Sequence, residues 1–202
     1  NVPAEPNPTG CGGSLERYKG QHRAIAAMPD LIRRVPEARL HIAGAGPYEQ
    51  ELRNLVGSLG LEKRVTIAAI PGSERQKLAD LVASAGLFVL FSEYEAHPVA
   101  VMEALSLRRP VLVSNTSGLG GLASKGLFRA IGLDAGPKEI DAALADELGA
   151  PRQGPDWALP DWDDCTQALS EVYDDVFNSR LMRRHAPSPK TRRFPGAGTQ
   201  CR

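Results

Sequence analysis

Leu87 to Phe91 reads Leu-Phe-Val-Leu-Phe, five apolar residues with no polar position among them. A half-exposed strand alternates apolar and polar side chains, and a strand covered on both faces does not. This run therefore predicts a strand buried between two layers. Its surroundings agree. Residues 21–35 carry Ile25, Ala26, Met28, Leu31 and Ile32 close to a 3.6-residue period, which predicts an amphipathic helix. Strands are predicted over 39–43, 64–68 and 110–114. Helices are predicted over 48–59, where Gly60 supplies the positive φ of a helix stop, over 74–83, and over 98–107, where Pro98 suits a first helical turn. Two closing helices are predicted at 138–148 and 163–178. Strands alternating with helices in this rhythm predict an α/β fold, a Rossmann-like doubly wound parallel sheet.

Residues 1–11, rich in Pro, Gly and Asn, read as a linker or frayed N-terminus, and residues 12–180 as the folded domain. Residues 181–202 carry Pro, Gly and basic charge with little to pack, which predicts a disordered basic tail. Ser117 to Gly121 reads as a Gly-rich loop, and Trp162 and Tyr173 as core anchors.

Hydrophobic residues make up 42% of the 202, enough for a core, and Lys+Arg and Asp+Glu are both 24. That balance argues against nucleic acid as a partner. Cys11, Cys165 and Cys201 form no CxxC pair and no cluster with the histidines, so a reducing compartment and no metal site are expected. No apolar run reaches the ~20 residues of a membrane helix, and no export signal is visible. The chain opens on Asn1 and not Met, so a fragment, or one product of a split or mis-started reading frame, is expected.

Ligands of an open parallel sheet bind outside the carboxyl ends of its strands. Three loops at that edge carry candidate chemistry. In the first, Gly12 to Gly20, the glycines allow close backbone approach at Gly13 and Ser14, and Lys19 offers a point charge for a phosphate. A glycine turn with a solvated lysine fits the same residues. In the second, Gly44-Ala-Gly46-Pro opens a helix N-terminus, where free amides and the dipole favour anions, and a tight strand–helix turn fits as well. The third runs from Ser92 to Glu103. Glu95 lies in the loop after the buried strand and Glu103 in the helix that follows. A carboxylate there suits the two hydroxyls of a ribose, while amides near Val99 to Val101, with Ala100 between them, suit a phosphate. Solvated carboxylates are the other reading, and His97 stands at the helix entrance.

Glu95 and Glu103, seven residues between them and set in Ser-Glu-Tyr-Glu…Val-Met-Glu-Ala-Leu, resemble the signature of the group 1, or family four, retaining glycosyltransferases. Gly13 to Gly20 is similar to their phosphate-binding segment, Leu40 to Pro47 to their second glycine loop, Arg109 to Ser114 with Gly118 to Gly121 to the strand and loop after the Glu pair, and Asp161 to Val176 to their last helix. The resemblance covers residues 12 to 178. It implies the donor-binding, C-terminal half of a two-domain GT-B enzyme that moves a sugar from a nucleoside diphosphate to an acceptor with retention of configuration.

By position it implies Lys19 at the diphosphate, Glu103 at the ribose and Glu95 at the transferred sugar. Gly13, Ser14, Gly44, Gly46, His97, Val99 and Ala100 would lie around the donor. It implies a front-face reaction in which the leaving diphosphate helps deprotonate the acceptor, with no metal and no cofactor beyond the donor itself. It also implies a missing N-terminal acceptor domain or a separate chain supplying it, peripheral membrane contact through that half, and a cytoplasmic location. Two positions depart from the family. Ser14 stands where it usually has Arg, and His97-Pro98 where it often has an aromatic followed by Gly. A degenerate nucleotide-binding or regulatory module without turnover is the alternative that Ser14 suggests. A nicotinamide-binding domain is disfavoured, because no full G-x-G-x-x-G follows a first strand.

Overall fold

The computed structural model describes residues 8–150 and 162–185. The chain divides into two compact units, Asn1–Leu159 and Pro160–Arg202. The first contains six strands: β1 (Pro8–Gly12), β2 (Arg39–Ala43), β3 (Val65–Ala68), β4 (Leu87–Leu90), β5 (Val111–Ser114) and β6 (Arg129–Ile131). All neighbours pair in parallel, in the order β3-β2-β1-β4-β5-β6. The helices are α1 (Gln21–Arg34), α2 (Glu49–Ser58), α3 (Arg75–Ser84), α4 (Val99–Ser106), α5 (Ser117–Ala123) and α6 (Pro137–Gly149). This is the Rossmann-like doubly wound sheet that the alternating pattern predicts.

The side chains of β4 show why its sequence carries no polar position. Leu87 and Val89 join one core with Ile25, Met28, Leu52 and Leu144, beneath α1, α2 and α6. Phe88 and Leu90 point the other way, into a second core with Val82, Val101 and Leu119 of α3, α4 and α5. In β5, Leu112 falls in the first core and Val111 and Val113 in the second. Successive side chains of a strand face opposite sides, so a two-sided cover makes every position apolar.

Residues 8–11 are not a linker. They form most of β1, the strand between β2 and β4, and every residue of β1 is buried. Gly10 and Gly12 have low strand propensity, which hides the strand from local pattern. The close neighbour is at Gly10, where a Cβ would stand 3.3 Å from that of Ala85, while the Phe88 ring lies at ordinary contact distance, 3.8 Å, from both positions. Propensity yields here to packing. Two further elements depart from expectation. Ser117 to Gly121 is helical, the start of α5, and β6 is a strand that the sequence pattern does not predict. Gly60 does adopt φ +65° after α2.

The second unit contains α7 (Trp162–His185). This helix runs past residue 180, into the stretch expected to be a tail, and residues 186–202 lie outside the described residues. Within that unit Trp162 and Tyr173, expected as core anchors, are 87% and 65% exposed. No helix among the described residues is long and apolar enough to cross a membrane.

Candidate functional site

The strand order reverses between β1 and β4, and at such a point two neighbouring loops diverge and leave a crevice. The loops concerned are the one after β1, bearing Gly13 and Lys19, and the one after β4, bearing Glu95.

The first loop is laid down on the second glycine loop. Gly13 N donates to Ala43 O (3.1 Å), Leu15 N to Ala45 O (3.0 Å) and Tyr48 N to Leu15 O (3.0 Å). Leu15 is fully buried at the centre of this contact. Gly44 and Gly46 permit the approach. A Cβ on Gly44 would collide with Gly13 O, and one on Gly46 would stand 2.7 Å from Leu15 N and 2.8 Å from its carbonyl carbon. These two glycines therefore support the loop and do not line the cleft. Ser14 does not line it either; its carbonyl accepts a bond from Gln21 Nε2 at 2.9 Å. Overpacked backbone costs about 1–3 kcal/mol, and each kcal/mol lowers the melting temperature of a chain this size by roughly 2–4 °C. Gly46→Ala is expected to melt several degrees below the parent protein in a thermal scan. An unchanged melt would mean that the loop yields freely.

After a short 3₁₀ turn, Arg17–Lys19, Gly20 takes φ +74° with its α-carbon against Phe91 O. Glu93 N donates to Tyr18 O at 2.7 Å, which ties this turn to the second loop. Lys19 Nζ then lies 2.8 Å from Glu95 Oε1, the two side chains being 19% and 6% accessible. Ser92 Oγ donates to the same oxygen at 2.6 Å. Glu95 thus sits buried with an ammonium and a hydroxyl on one oxygen.

The Gly-rich segment that forms α5 holds the Glu95 loop from behind. Thr116 Oγ1 donates to Glu93 O (2.7 Å), Ser117 Oγ to Glu95 O (3.1 Å) and Gly118 N to Glu95 O (2.9 Å). A Cβ on Gly118 would strike Glu95 O. From below, the Arg23 guanidinium donates to Phe91 O (3.3 Å), Ser114 Oγ (2.8 Å) and Ala135 O (3.0 Å). It draws together the ends of β4 and β5 and the segment before α6. Burial lowers its pKa from the ordinary arginine value, and Glu93 and Asp134 oppose that shift. A lone arginine on a helix looks solvated in sequence, and no local signal marks it as a clamp.

Pro98 at the start of α4 has φ −81° and ψ 73°, and Val99 N donates to His97 O at 2.9 Å. This is an inverse γ-turn. Val101 N donates to Pro98 O at 3.0 Å. Of the amides expected at a phosphate, that of Val99 is therefore engaged within the γ-turn, with the proline at its centre, and that of Val101 bonds back to Pro98 O.

Between the loops lies a cleft of about 370 Å³. Gly12, Gly13, Lys19, Glu95, His97, Val99, Ala100 and Glu103 line it, over a floor of Leu78, Val82, Phe88 and Leu90. The structure thus brings together seven of the residues that the sequence singles out, and it leaves Ser14, Gly44 and Gly46 outside. A second cleft of about 270 Å³ shares Leu78, Val82 and Glu103 with the first and adds Arg75 and Gln76. Arg75 and Glu103 form an ion pair of 3.3 Å, on side chains 81% and 42% accessible. Cys11 is buried in β1, and burial pushes its thiol up to about 12, so it is no nucleophile at neutral pH.

Comparison with known proteins agrees with this fold. The chain is 30% identical over 169 residues to the GDP-mannose-dependent alpha-(1-6)-phosphatidylinositol monomannoside mannosyltransferase of Mycolicibacterium smegmatis, a match covering 75% of this chain and 43% of that one. The sucrose-phosphate synthase of Thermosynechococcus elongatus superposes with TM-score 0.71 at 22% identity, over 88% of this chain and 47% of that one. Anabaena Alr3699/HepE, solved in complex with UDP and glucose, superposes with TM-score 0.63 at 22% identity, over 73% and 40%. The chain spans less than half the length of the curated relatives it matches. The family of glycosyl transferases group 1 matches residues 2–147, which include both loops, both glutamates and the sheet that positions them, and the chain belongs to that family.

Proposed function

We propose that the cleft binds a nucleoside diphosphate sugar, and that the chain is the donor-binding part of a retaining glycosyltransferase. The observation that carries this reading is the convergence of Lys19, Glu95 and Glu103 in one cleft at the point where the strand order reverses. Lys19 takes the diphosphate, helped by backbone at Gly13 and Ala100. Glu103 accepts the ribose hydroxyls. Glu95, fixed by Ser92 and Lys19, faces the transferred sugar. The floor of Leu78, Val82, Phe88 and Leu90 keeps water from beneath the diphosphate and raises the value of each charge above it.

Departure of the sugar builds negative charge on the leaving diphosphate, and the protein's part is to hold that charge and align the reactants. The acceptor hydroxyl gives its proton to the leaving oxygen on the same face, which retains the anomeric configuration. The contacts to the acceptor come from a further domain or a separate chain supplying it, in keeping with the span of the relatives. The mannosyltransferase relative is named for GDP-mannose and the Anabaena protein was solved with UDP, so both bases belong in the test.

The test is a thermal-shift titration with UDP, GDP, ADP and their sugar conjugates. A ligand of the folded state alone adds about 2.7 kcal/mol of stability at a hundredfold excess over Kd, a rise of several degrees. A rise with one nucleotide names the base. Absence of a rise with all of them, on a protein that melts cooperatively, would sink the reading in favour of a module without donor binding.

A further inference from the structure

The cleft holds little positive charge for a diphosphate. Its lining has one cation, Lys19, against two carboxylates, Glu95 and Glu103. The ammonium is already committed to Glu95 at 2.8 Å, and Arg75, the cation beside Glu103, lines the adjoining cleft instead. A diphosphate entering such a site meets net negative charge unless a further cation appears. Among the described residues lining the cleft, the remaining side chain able to become one is His97. It is exposed, stands two residues after Glu95, and its backbone is fixed by the Val99 N–H···O bond across the γ-turn at Pro98.

We propose that His97 is a proton-dependent cation of this site, an imidazolium that pairs with the donor diphosphate, so that donor binding takes up a proton. The proposal rests on the nucleotide-sugar reading and adds to it a positive charge that a neutral imidazole lacks. Imidazole is the side chain whose ordinary titration lies near neutrality. The groups that line the cleft with His97 are Lys19 on the first loop, Glu95 on its own loop and Glu103 on α4. From α3 and β4 it is lined by the apolar Leu78, Val82, Phe88 and Leu90.

A diphosphate close to the ring favours its charged form and raises its pKa in the complex. The sign follows. The gain in affinity is fully present below the free imidazole's titration and is lost as pH rises through the higher value in the complex. A rise of one pKa unit corresponds to about tenfold in affinity.

Isothermal titration of the full chain with UDP-glucose and with GDP-mannose decides the matter. A nucleotide sugar is the right probe because its diphosphate is esterified at both ends and takes up no proton near neutrality. Binding is expected to be about tenfold tighter near about pH 6 than near about pH 8. The heat should vary with the ionisation enthalpy of the buffer in the sense of proton uptake. His97→Gln should bind weakly and equally at both pH values, and His97→Arg tightly at both. Any titration of Lys19, Glu95 or Glu103 survives in His97→Gln, so a parental pH slope in that variant would overturn the proposal. Equal affinity at both pH values in the parent, without proton uptake, would overturn it too and leave the nucleotide reading standing. Failure of every protein, His97→Arg included, to bind either probe would overturn the nucleotide reading and this proposal with it.

Discussion

Lys19→Met will lose both stability and nucleotide affinity, and a second variant will separate the two losses. Glu95 is 6% accessible at its side chain and, among the described residues, keeps only the Ser92 hydroxyl once the ammonium is gone. Removing one partner of a buried ion pair costs about 3–5 kcal/mol, because the other charge stays in a low-dielectric place without compensation. Lys19 is itself 19% accessible, so water relieves part of this and the lower end, about 3 kcal/mol, is expected. At roughly 2–4 °C per kcal/mol the melt falls by about 6–12 °C. Lys19→Met combined with Glu95→Gln removes the stranded charge and should regain most of that stability. It should not regain the ligand. A hydrogen bond to a charged group contributes about 1.5–3 kcal/mol, so UDP or GDP affinity stays roughly 10–150-fold below the parent in both variants. Thermal melts and calorimetric titrations on the three proteins decide it. A single variant as stable as the parent would show that the pair does not hold the Glu95 loop, and undiminished affinity would remove Lys19 from the phosphate.

Glu103→Gln is the complementary case, a large loss of affinity with almost none of stability. Its carboxylate is 42% accessible, and its bond to the exposed Arg75 is a surface ion pair of about 0–1 kcal/mol. If the carboxylate accepts the ribose hydroxyls, exchanging it for an amide weakens a charge-assisted interaction by about 1.5–3 kcal/mol, roughly 10–150-fold in Kd. The partner group on the ligand offers an independent check. The 2′-deoxynucleotide should bind the parent protein more weakly than the ribonucleotide, and Glu103→Gln should bind the two almost alike. A variant that still prefers the ribonucleotide by the parental factor would place the ribose elsewhere.

Both predictions concern residues whose types and spacing are legible in the sequence. Glu95 and Glu103 stand out because a carboxylate after a buried strand and another in the following helix must both reach the carboxyl edge of the sheet. Lys19 stands out because it ends a glycine-rich loop at that same edge. What spacing leaves open is which groups meet. The 2.8 Å contact of Lys19 and Glu95 spans 76 positions of sequence. It exists because β1 and β4 are neighbours, and β1, with its two glycines, is a strand that local propensity fails to reveal.

The glycines divide along the same line. Gly60 is legible because a helix stop with positive φ is a local demand. Gly44 and Gly46 have the sequence of an anion site and are instead a bed for Gly13 to Leu15, since what lies against their α-carbons comes from about 30 residues away. Gly118 likewise answers to Glu95 O, and Arg23 to carbonyls on two other segments. Pro98 stands just before α4, as its N-cap, and not in the first helical turn that its type predicts, and its γ-turn withdraws the Val99 amide from any ligand.

Period, turn chemistry and residue type act over a few neighbouring positions. They are enough to dictate the layered α/β sheet, the boundaries of α1 to α4 and α6 to within a residue or so, and the charged groups available to the cleft. Four features escape them: residues 8–12 form a central strand, the second glycine loop supports the first, Arg23 and α5 brace the Glu95 loop, and a buried carboxylate holds the ammonium of Lys19. Each of these depends on which distant backbones come into contact, and contact across a sheet is set by the packing of whole elements.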